Sequence, residues 1–282
     1  MPEGLCQHER RTIEAGKASL EYLRRRTHEN PLFAVLTGVF HSGAIPYQNN
    51  QQWVEHLVEK PYSEVKKLAE KPLEDRVRTM TIDRPKNLPS VYFARSRANM
   101  LPGALECFED LCLDEPEKCF EKRTREKLVK CMVDKARGPI EEGTQRGGIG
   151  RKTSDLMREY LGDDEAVAVD RHVLRWVCED AKVYCPIDLK TGKPLGSLEE
   201  LEYGGTARGY KIPDEIYEAC AEALREEARH CGIMPTQLQV GVWLKGVCGA
   251  PKRPRGPIFL GKGRGGLVTC PPPPEQVVFE VP

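Results

Sequence analysis

Apolar residues recur at helical spacing along most of the chain. In residues 11–26 charged side chains alternate with apolar ones, and Ile13, Leu20 and Leu23 fall on one face, which predicts an amphipathic helix. The uninterrupted apolar run 32–40 fits a buried helix or a buried strand, because so short a run has no periodicity of its own. Since the segments around it have helical spacing, we predict a buried helix.

The same spacing predicts helices through much of the remaining chain, interrupted by proline and glycine. Pro102 and Gly103 divide the stretch 91–108, which predicts two short helices rather than one. Gly162 stands where a helix commonly ends, and residues 186–209 have the composition of a loop. Strand signals are nearly absent, so the predicted fold class is all-α. The other predicted helices cover residues 53–60, 63–71, 123–137, 151–161, 213–232 and 235–247.

The composition is that of an ordinary globular protein and gives no global sign of a partner. The 282 residues allow one or two domains, and 43 basic against 43 acidic side chains leave a net charge of zero. Affinity for nucleic acid must therefore come from local clusters of charge. One such cluster is the segment 251–282, a basic tail rich in proline and glycine. A solvated end and a nucleic-acid contact are equally good interpretations of it.

The sequence carries no signal for secretion or membrane insertion. The first ten residues contain no apolar run, and the run 32–40 is far shorter than the ~18 residues of a membrane span. These features predict a soluble intracellular protein of the cytoplasm or nucleoid, with no membrane partner. The chain has 11 cysteines. Buried thiols in a reducing compartment are the favoured interpretation, and disulfides in a heat-adapted protein are the alternative.

Candidate chemistry is concentrated between residues 147 and 177. The turn Gly148-Ile149-Gly150 opens a predicted helix, and bare backbone N–H groups at such a helix end suit a phosphate. Lys152 falls in the first turn of that helix and has the amine that Schiff-base chemistry needs. Asp170 directly precedes the next predicted helix, where its carboxylate would stabilise a developing cation.

Lys152 and Asp170 are close enough along the chain to meet in space. The helix after Lys152 advances ~15 Å, and the chain from Gly162 to Asp170 can return by ~26 Å when extended. On spacing alone, a solvated lysine and a helix-capping aspartate are the commoner alternative.

Residue types and spacing together resemble a known family. Arg146–Thr153 is similar to the Leu-Pro-Gly-Val-Gly-Arg-Lys-Thr core of the helix-hairpin-helix (HhH-GPD) DNA glycosylase superfamily, and Val169–His172 is similar to its Val-Asp-x-His motif. In both, the aspartate lies eighteen residues beyond the lysine. Residues 91–98 resemble an upstream helix of the family. Residues 232–235 and 243–244 resemble the C-terminal part of archaeal 8-oxoguanine DNA glycosylases.

The resemblance implies an all-α fold of two lobes with the active-site cleft between them. Residues 1–50 together with 165–250 would form a terminal helical lobe. Residues 51–164 would form a helical barrel lobe ending in the helix-hairpin-helix at 138–162, and the basic tail 251–282 would follow.

The resemblance also implies roles for individual residues. Lys152 matches the lysine with which bifunctional members attack the sugar, and Asp170 matches the aspartate that stabilises the cationic transition state. The hairpin backbone at Gly148, Ile149 and Gly150 would hold a DNA phosphate, with Arg146, Arg151 and Thr153 adding DNA contacts. Gln48, Asn49 and Asn50 lie where relatives place a loop that fills the gap left by the flipped base, although an ordinary polar surface loop fits equally well.

The function implied is base-excision repair of double-stranded DNA that contains a damaged base or an abasic site. The expected enzyme is a monomeric DNA glycosylase with AP lyase activity towards an oxidised purine such as 8-oxoguanine. A monofunctional glycosylase for alkylated or mismatched bases, and a non-catalytic helix-hairpin-helix DNA-binding protein, are the alternatives. No cysteine set has the Cys-x6-Cys-x2-Cys-x5-Cys spacing of related enzymes, so we expect no iron–sulfur cluster and no metal ligands. A monovalent cation at the hairpin is the one ion that the resemblance suggests.

Overall fold

The chain is helical in the residues that the computed structural model describes, apart from one short strand pair. The helices are α1 Arg10–Glu29, α2 Leu32–Phe40, α3 Tyr47–Val58, α4 Tyr62–Glu70, α5 Leu73–Thr81, α6 Ala94–Leu111, α7 Lys122–Lys135, α8 Arg151–Tyr160, α9 Arg171–Arg175, α10 Asp214–His230 and α11 Pro235–Gly249, with a 3-10 turn at Pro116–Phe120. The described residues are 10–40, 47–91, 93–136, 149–177, 214–249, 258–259 and 267–268.

The basic tail contributes the strand pair. Strand β1 (Ile258–Phe259) runs antiparallel to β2 (Leu267–Val268), with Ile258 opposite Val268, and β2 lies against α1. The sequence did not predict this pair, because two apolar residues between glycines and prolines are too short to show a period. The all-α prediction is confirmed for the rest of the described chain.

The stretch predicted as two short helices is one continuous helix, α6. Pro102 lies in its interior and has no N–H to donate to the carbonyl of Ala98 one turn earlier. The Nε of Arg76, a buried residue of α5, donates to that carbonyl at 2.8 Å instead. A side chain from another helix therefore offsets the hydrogen bond that proline removes, and the helix continues through it.

Helix α5 and the first turns of α3 were not predicted. Helix α5 has only three apolar residues spaced by a helical repeat among many charged ones, which weakens its periodicity. The sequence predicts a loop for the polar run at the start of α3. In the structure Asn50 is buried and donates from Nδ2 to the carbonyl of Phe40 at 2.5 Å, so it satisfies the end of α2.

Helix α2 lies at the centre of the structure, as its apolar run predicted. All nine of its residues are buried. Its length of roughly 14 Å suits a core helix packed on every side. Within the described ranges, none of the helices combines the length and the apolar character that crossing a membrane requires.

The buried apolar residues form two clusters. The first spans α1 to α8 and takes in Ala168, and the second joins the segment around Val173 to α10. Helices α1 and α11 contribute to both, since Leu20 belongs to the first cluster and Ile13 to the second. The division of the chain into the lobes given above stays a prediction.

Cys107, Cys112, Cys119 and Cys131 form two disulfides, which corrects the expectation of buried thiols for these four. Cys231 is also disulfide-bonded, whereas Cys220 is a buried thiol. Cys107 of α6 is bonded to Cys131 of α7, with Cα atoms 5.8 Å apart. Cys112 is bonded to Cys119 across the turn between the same helices, with Cα atoms 5.6 Å apart. The antiparallel packing of α6 and α7 brings these pairs within bonding range. These four sulfurs are therefore not metal ligands.

Candidate active site

Lys152 is the second residue of α8 and lies near the amino end of that helix. Gly150 is the N-cap, in an extended conformation, and its carbonyl accepts the N–H of Ser154 at 2.9 Å to begin the helix. The helix ends before Gly162, whose positive φ of 86° is a conformation that glycine adopts without strain. The predicted start and end of this helix are confirmed.

Asp170 is the N-cap of α9 and is almost completely buried. Its Oδ1 accepts the backbone N–H groups of His172 at 2.8 Å and of Val173 at 3.1 Å. Its Oδ2 lies 3.5 Å from the Nζ of Lys152. The two residues predicted to meet therefore do meet, with 7% of the aspartate side chain and 22% of the lysine side chain exposed.

The surroundings of Asp170 favour its ionised form. Burial by itself would raise the pKa of the carboxyl group, but the positive charge of Lys152, the nearby His172 and the two backbone N–H donors outweigh it. The net effect is a pKa below the ordinary value for aspartate. A stable negative charge thus lies directly beside the lysine amine.

A small cavity opens beside this pair, between α1, α8 and α11. Most of the lining is apolar, which strengthens electrostatic interactions inside. The residues at its wall with a polar group include Ser19, Lys152, Tyr160, Asp170, Gln239 and Trp243.

The wall formed by α1 and α11 depends on a close approach of the two helices. A Cβ atom on Gly16 of α1 would collide with the backbone carbonyl of Gln237 and with the backbone of Gly241 in α11. Glycine therefore allows the backbones to come together at this crossing. The crossing places Ser19, one turn further along α1, at the cavity.

Gln239 and Trp243, one turn apart on α11, were not predicted as site residues. The Nε2 of Gln239 donates to the carbonyl of Ala168 at 3.1 Å, and its Oε1 has no hydrogen-bond partner in the described part of the chain. The position of Trp243 on an apolar helix face predicts a core residue, but in the structure it is only partly buried. Helical spacing assigns both to the inner face of α11 but does not distinguish packed core from a cavity wall.

Arg151 makes contacts that the sequence did not predict. Its guanidinium lies over the ring of Tyr217, with Cζ 4.3 Å from the ring centroid. It also pairs with Glu218, and more distantly with Asp214 at 3.9 Å, all on α10. These contacts join the start of α8 to α10, so any DNA contact by Arg151 has to share or replace them.

The other predicted site residues lie in varied places. Ile149 is buried in the first apolar cluster, Gly150 is exposed, and Thr153 is half-buried beside Lys152. The backbone at Gln48 and Asn49 is in the first turn of α3, while their side chains fall outside what the structure describes. Asn50 does not line the cavity. Arg146 and Gly148 lie outside the described residues, and with them the part of the predicted helix-hairpin-helix before Ile149.

Among the described residues there is no group of three or more His, Cys, Asp or Glu side chains that could hold a metal ion. Comparison of the chain with protein-family models, with curated proteins and with solved structures gives no match.

Proposed function

We propose that the protein is a base-excision DNA glycosylase with AP lyase activity, of the helix-hairpin-helix two-lobed type, and that it acts on an oxidised purine such as 8-oxoguanine in double-stranded DNA. The observation that carries the proposal is the pair Lys152 and Asp170, 3.5 Å apart at the wall of a cavity. A nucleophilic amine beside a buried carboxylate is what excision through a covalent sugar intermediate requires.

In the proposed first step the target nucleotide leaves the base stack and its base enters the cavity. The ammonium of Lys152 gives a proton to the base, and the resulting neutral amine attacks C1′ of the sugar while the C1′–N bond breaks with its electron pair going to the base. The proton that the lysine gives up balances the proton that the departing base takes up. Asp170 stabilises the positive charge that develops on the sugar, because it is ionised and does not have to reorganise.

In the second step the sugar ring opens, as the C1′–O4′ bond breaks and Lys152 becomes joined to C1′ through a Schiff base. Loss of a proton from C2′ then expels the 3′ phosphate and cuts the strand. Water finally hydrolyses the Schiff base and releases the lysine. Borohydride reduces this intermediate to a stable amine, so trapping the protein on DNA reports the lysine chemistry directly.

Gln239 and Trp243 support recognition of a base in the cavity. Extruded bases are commonly held by aromatic stacking and by hydrogen bonds to their polar edge. The Oε1 of Gln239 is a buried acceptor with no partner in the described residues, and a purine edge supplies N–H donors. The indole of Trp243, one turn away, offers a surface on which the base would stack.

A panel of duplexes, each with one lesion opposite each normal base, tests the proposal. We expect base release from an oxidised-purine duplex and borohydride trapping on abasic DNA. Release without trapping would identify a monofunctional glycosylase, and binding without release from any duplex would identify a DNA-binding module. Trp243→Leu should slow base release and leave trapping on abasic DNA, because an abasic site has no base to stack on the indole.

A further inference from the structure

The segment just before Asp170 is buried and has no regular secondary structure. Val167, Ala168 and Val169 are at most 1% exposed, yet their backbone groups belong to neither a helix nor a sheet. Buried backbone N–H and C=O groups need partners, and here side chains from three helices supply them. Gln239 of α11 supplies one of these by donating to the carbonyl of Ala168.

Glu159 of α8 supplies the partner of the Ala168 N–H. Its Oε1 accepts this N–H at 2.7 Å, and the residue is 0% exposed. Its Oε2 has no hydrogen-bond partner within the described ranges. The Nε of Arg24 donates to the backbone carbonyl of Glu159 at 3.0 Å. Burial disfavours the anion and raises the pKa of the Glu159 carboxyl group well above its ordinary value.

Tyr217 of α10 supplies the partner of the Val169 N–H. Its hydroxyl oxygen accepts this N–H at 3.1 Å and lies 2.7 Å from the Oδ2 of Asp155 in α8. The hydroxyl donates a hydrogen bond to Oδ2 of Asp155, which directs a lone pair of the hydroxyl oxygen towards the Val169 N–H. The backbone carbonyl of Val167, 3.1 Å from the same hydroxyl oxygen, is an alternative acceptor for this hydrogen bond.

Asp155 and Glu159 lie on the same face of α8 as Lys152, the proposed nucleophile. Lys152, Asp155 and Glu159 follow one another at intervals of three and four residues, so they form a line along the helix. The helix that presents the lysine amine thus also fixes the segment that presents Asp170. Only Val169 separates Ala168 from Asp170, so a shift at Ala168 moves the carboxylate.

We propose that Glu159 and Tyr217 are positioning residues, which fix the carboxylate of Asp170 against the amine of Lys152 by holding the backbone at Ala168 and Val169. This inference rests on the proposed glycosylase function. Misplacement of a reacting group by about 1 Å can slow a reaction on the order of 10²-fold. Loss of either residue should slow the chemical step and leave DNA affinity unchanged, because neither residue is at the predicted phosphate-binding hairpin.

Single-turnover base excision at saturating lesion DNA, with the wild type and Glu159→Leu, tests the proposal. A positioning role predicts a rate constant lower by on the order of 10²-fold, with an unchanged Kd for the duplex. Glu159→Gln should restore a rate close to that of the wild type, because its amide oxygen can still accept the Ala168 N–H. Tyr217→Phe, which removes one hydroxyl, should lower the rate constant in the same direction.

A purely structural role would give a different result. It would reduce the fraction of active molecules, which appears in the amplitude of the reaction, and leave the rate constant of the folded fraction unchanged. Glu227→Leu, at another buried carboxyl group of α10, is the matched control and should change the amplitude at most.

The experiments distinguish failure of the proposed glycosylase function from failure of the positioning role. Wild-type protein that neither excises a base nor is trapped would overturn the proposed function. Active wild type together with a wild-type rate constant in folded Glu159→Leu would overturn the positioning role alone. If Glu159→Leu does not fold, an unchanged rate constant in Tyr217→Phe overturns it.

Discussion

The two carboxylate oxygens of Asp170 have different partners, and only one of them faces Lys152. Oδ1 accepts the N–H groups that begin α9, whereas Oδ2 lies 3.5 Å from the lysine Nζ. The capping of a helix and the pairing with the amine are thus divided between two atoms of one side chain. Substitutions can therefore remove the charge and keep the cap.

Replacement of Lys152 by glutamine should abolish borohydride trapping on abasic DNA. The substitution removes the amine that forms the Schiff base, while the backbone N–H groups before α8 remain available for a phosphate. DNA affinity in a gel-shift titration should stay close to that of the wild type. Lys130→Gln, at an exposed lysine paired with Asp134 on α7, is the control and should be trapped normally. Normal trapping of Lys152→Gln would refute the assignment of the nucleophile.

Asp170→Asn should slow base excision and leave the fold intact. A preorganised charge at a developing cation is worth ~3–4 kcal/mol, or about two to three orders of magnitude in rate. Asparagine caps a helix about as well as aspartate, so the urea midpoint should change little. Affinity for lesion DNA should hold or increase, since a negative charge near the phosphates is lost. Base release at the wild-type rate by the folded variant would contradict the role of Asp170.

The stability of Glu159→Gln relative to the wild type should be greater at neutral pH than at acid pH. Burial is the largest effect on Glu159, and the nearby Asp155 adds to it, so its pKa in the folded protein lies well above the ordinary value of 4.5. Above about pH 4.5 the unfolded chain loses this proton while the folded protein keeps it, so the wild type loses stability as pH rises.

Glutamine cannot ionise, and the variant escapes this loss. The difference in unfolding free energy between variant and wild type should therefore grow in favour of glutamine, by up to about 1.4 kcal/mol per pH unit above pH 4.5. Urea titrations of both proteins between pH 4 and pH 8 measure it. A difference that is independent of pH would mean that Glu159 is ionised in the folded protein.

Loss of the Cys107–Cys131 disulfide should destabilise the protein by about 3 kcal/mol, because the bond closes a long loop of the unfolded chain. The two cysteines are 24 residues apart. Urea unfolding of Cys107→Ala/Cys131→Ala against the wild type tests this. Cys112→Ala/Cys119→Ala is the comparison, and it should lose less, since its cysteines are only 7 residues apart. Alkylation of all four as thiols in protein purified without reductant would show that neither bond forms.

Gly16→Val should weaken the contact between α1 and α11. Backbone atoms of Gln237 and Gly241 occupy the space that the new side chain needs, so the helices must separate. We expect a loss of about 1–3 kcal/mol in the free energy of unfolding and slower base excision, because the cavity wall moves. Gly150→Ala, where a Cβ has open space, is the control for stability. Equal stability of Gly16→Val and the wild type would show that the helices are not in contact there.

The sequence determined the helical character of the chain and the elements of the proposed catalytic pair. Lys152 and Asp170 fall within one short segment. A helix, a glycine that ends it and a short connection restrict the path of the backbone between the two residues. Local signals of this kind act between neighbours along the chain, so they can be interpreted without knowledge of the remaining structure. The resemblance to the helix-hairpin-helix glycosylases was carried by the same segment.

Only the tertiary structure decided what surrounds that pair. Gln239 comes to Ala168 from a helix seventy-one residues further along, and Glu159 has a partner only because the chain folds back over it. Arg76 keeps α6 continuous through Pro102, and the packing of α6 on α7 selects the cysteine pairs. Helical spacing identifies the inner face of each helix. Which atoms meet that face, and whether a cavity is left there, depends on helices far apart in sequence packing together.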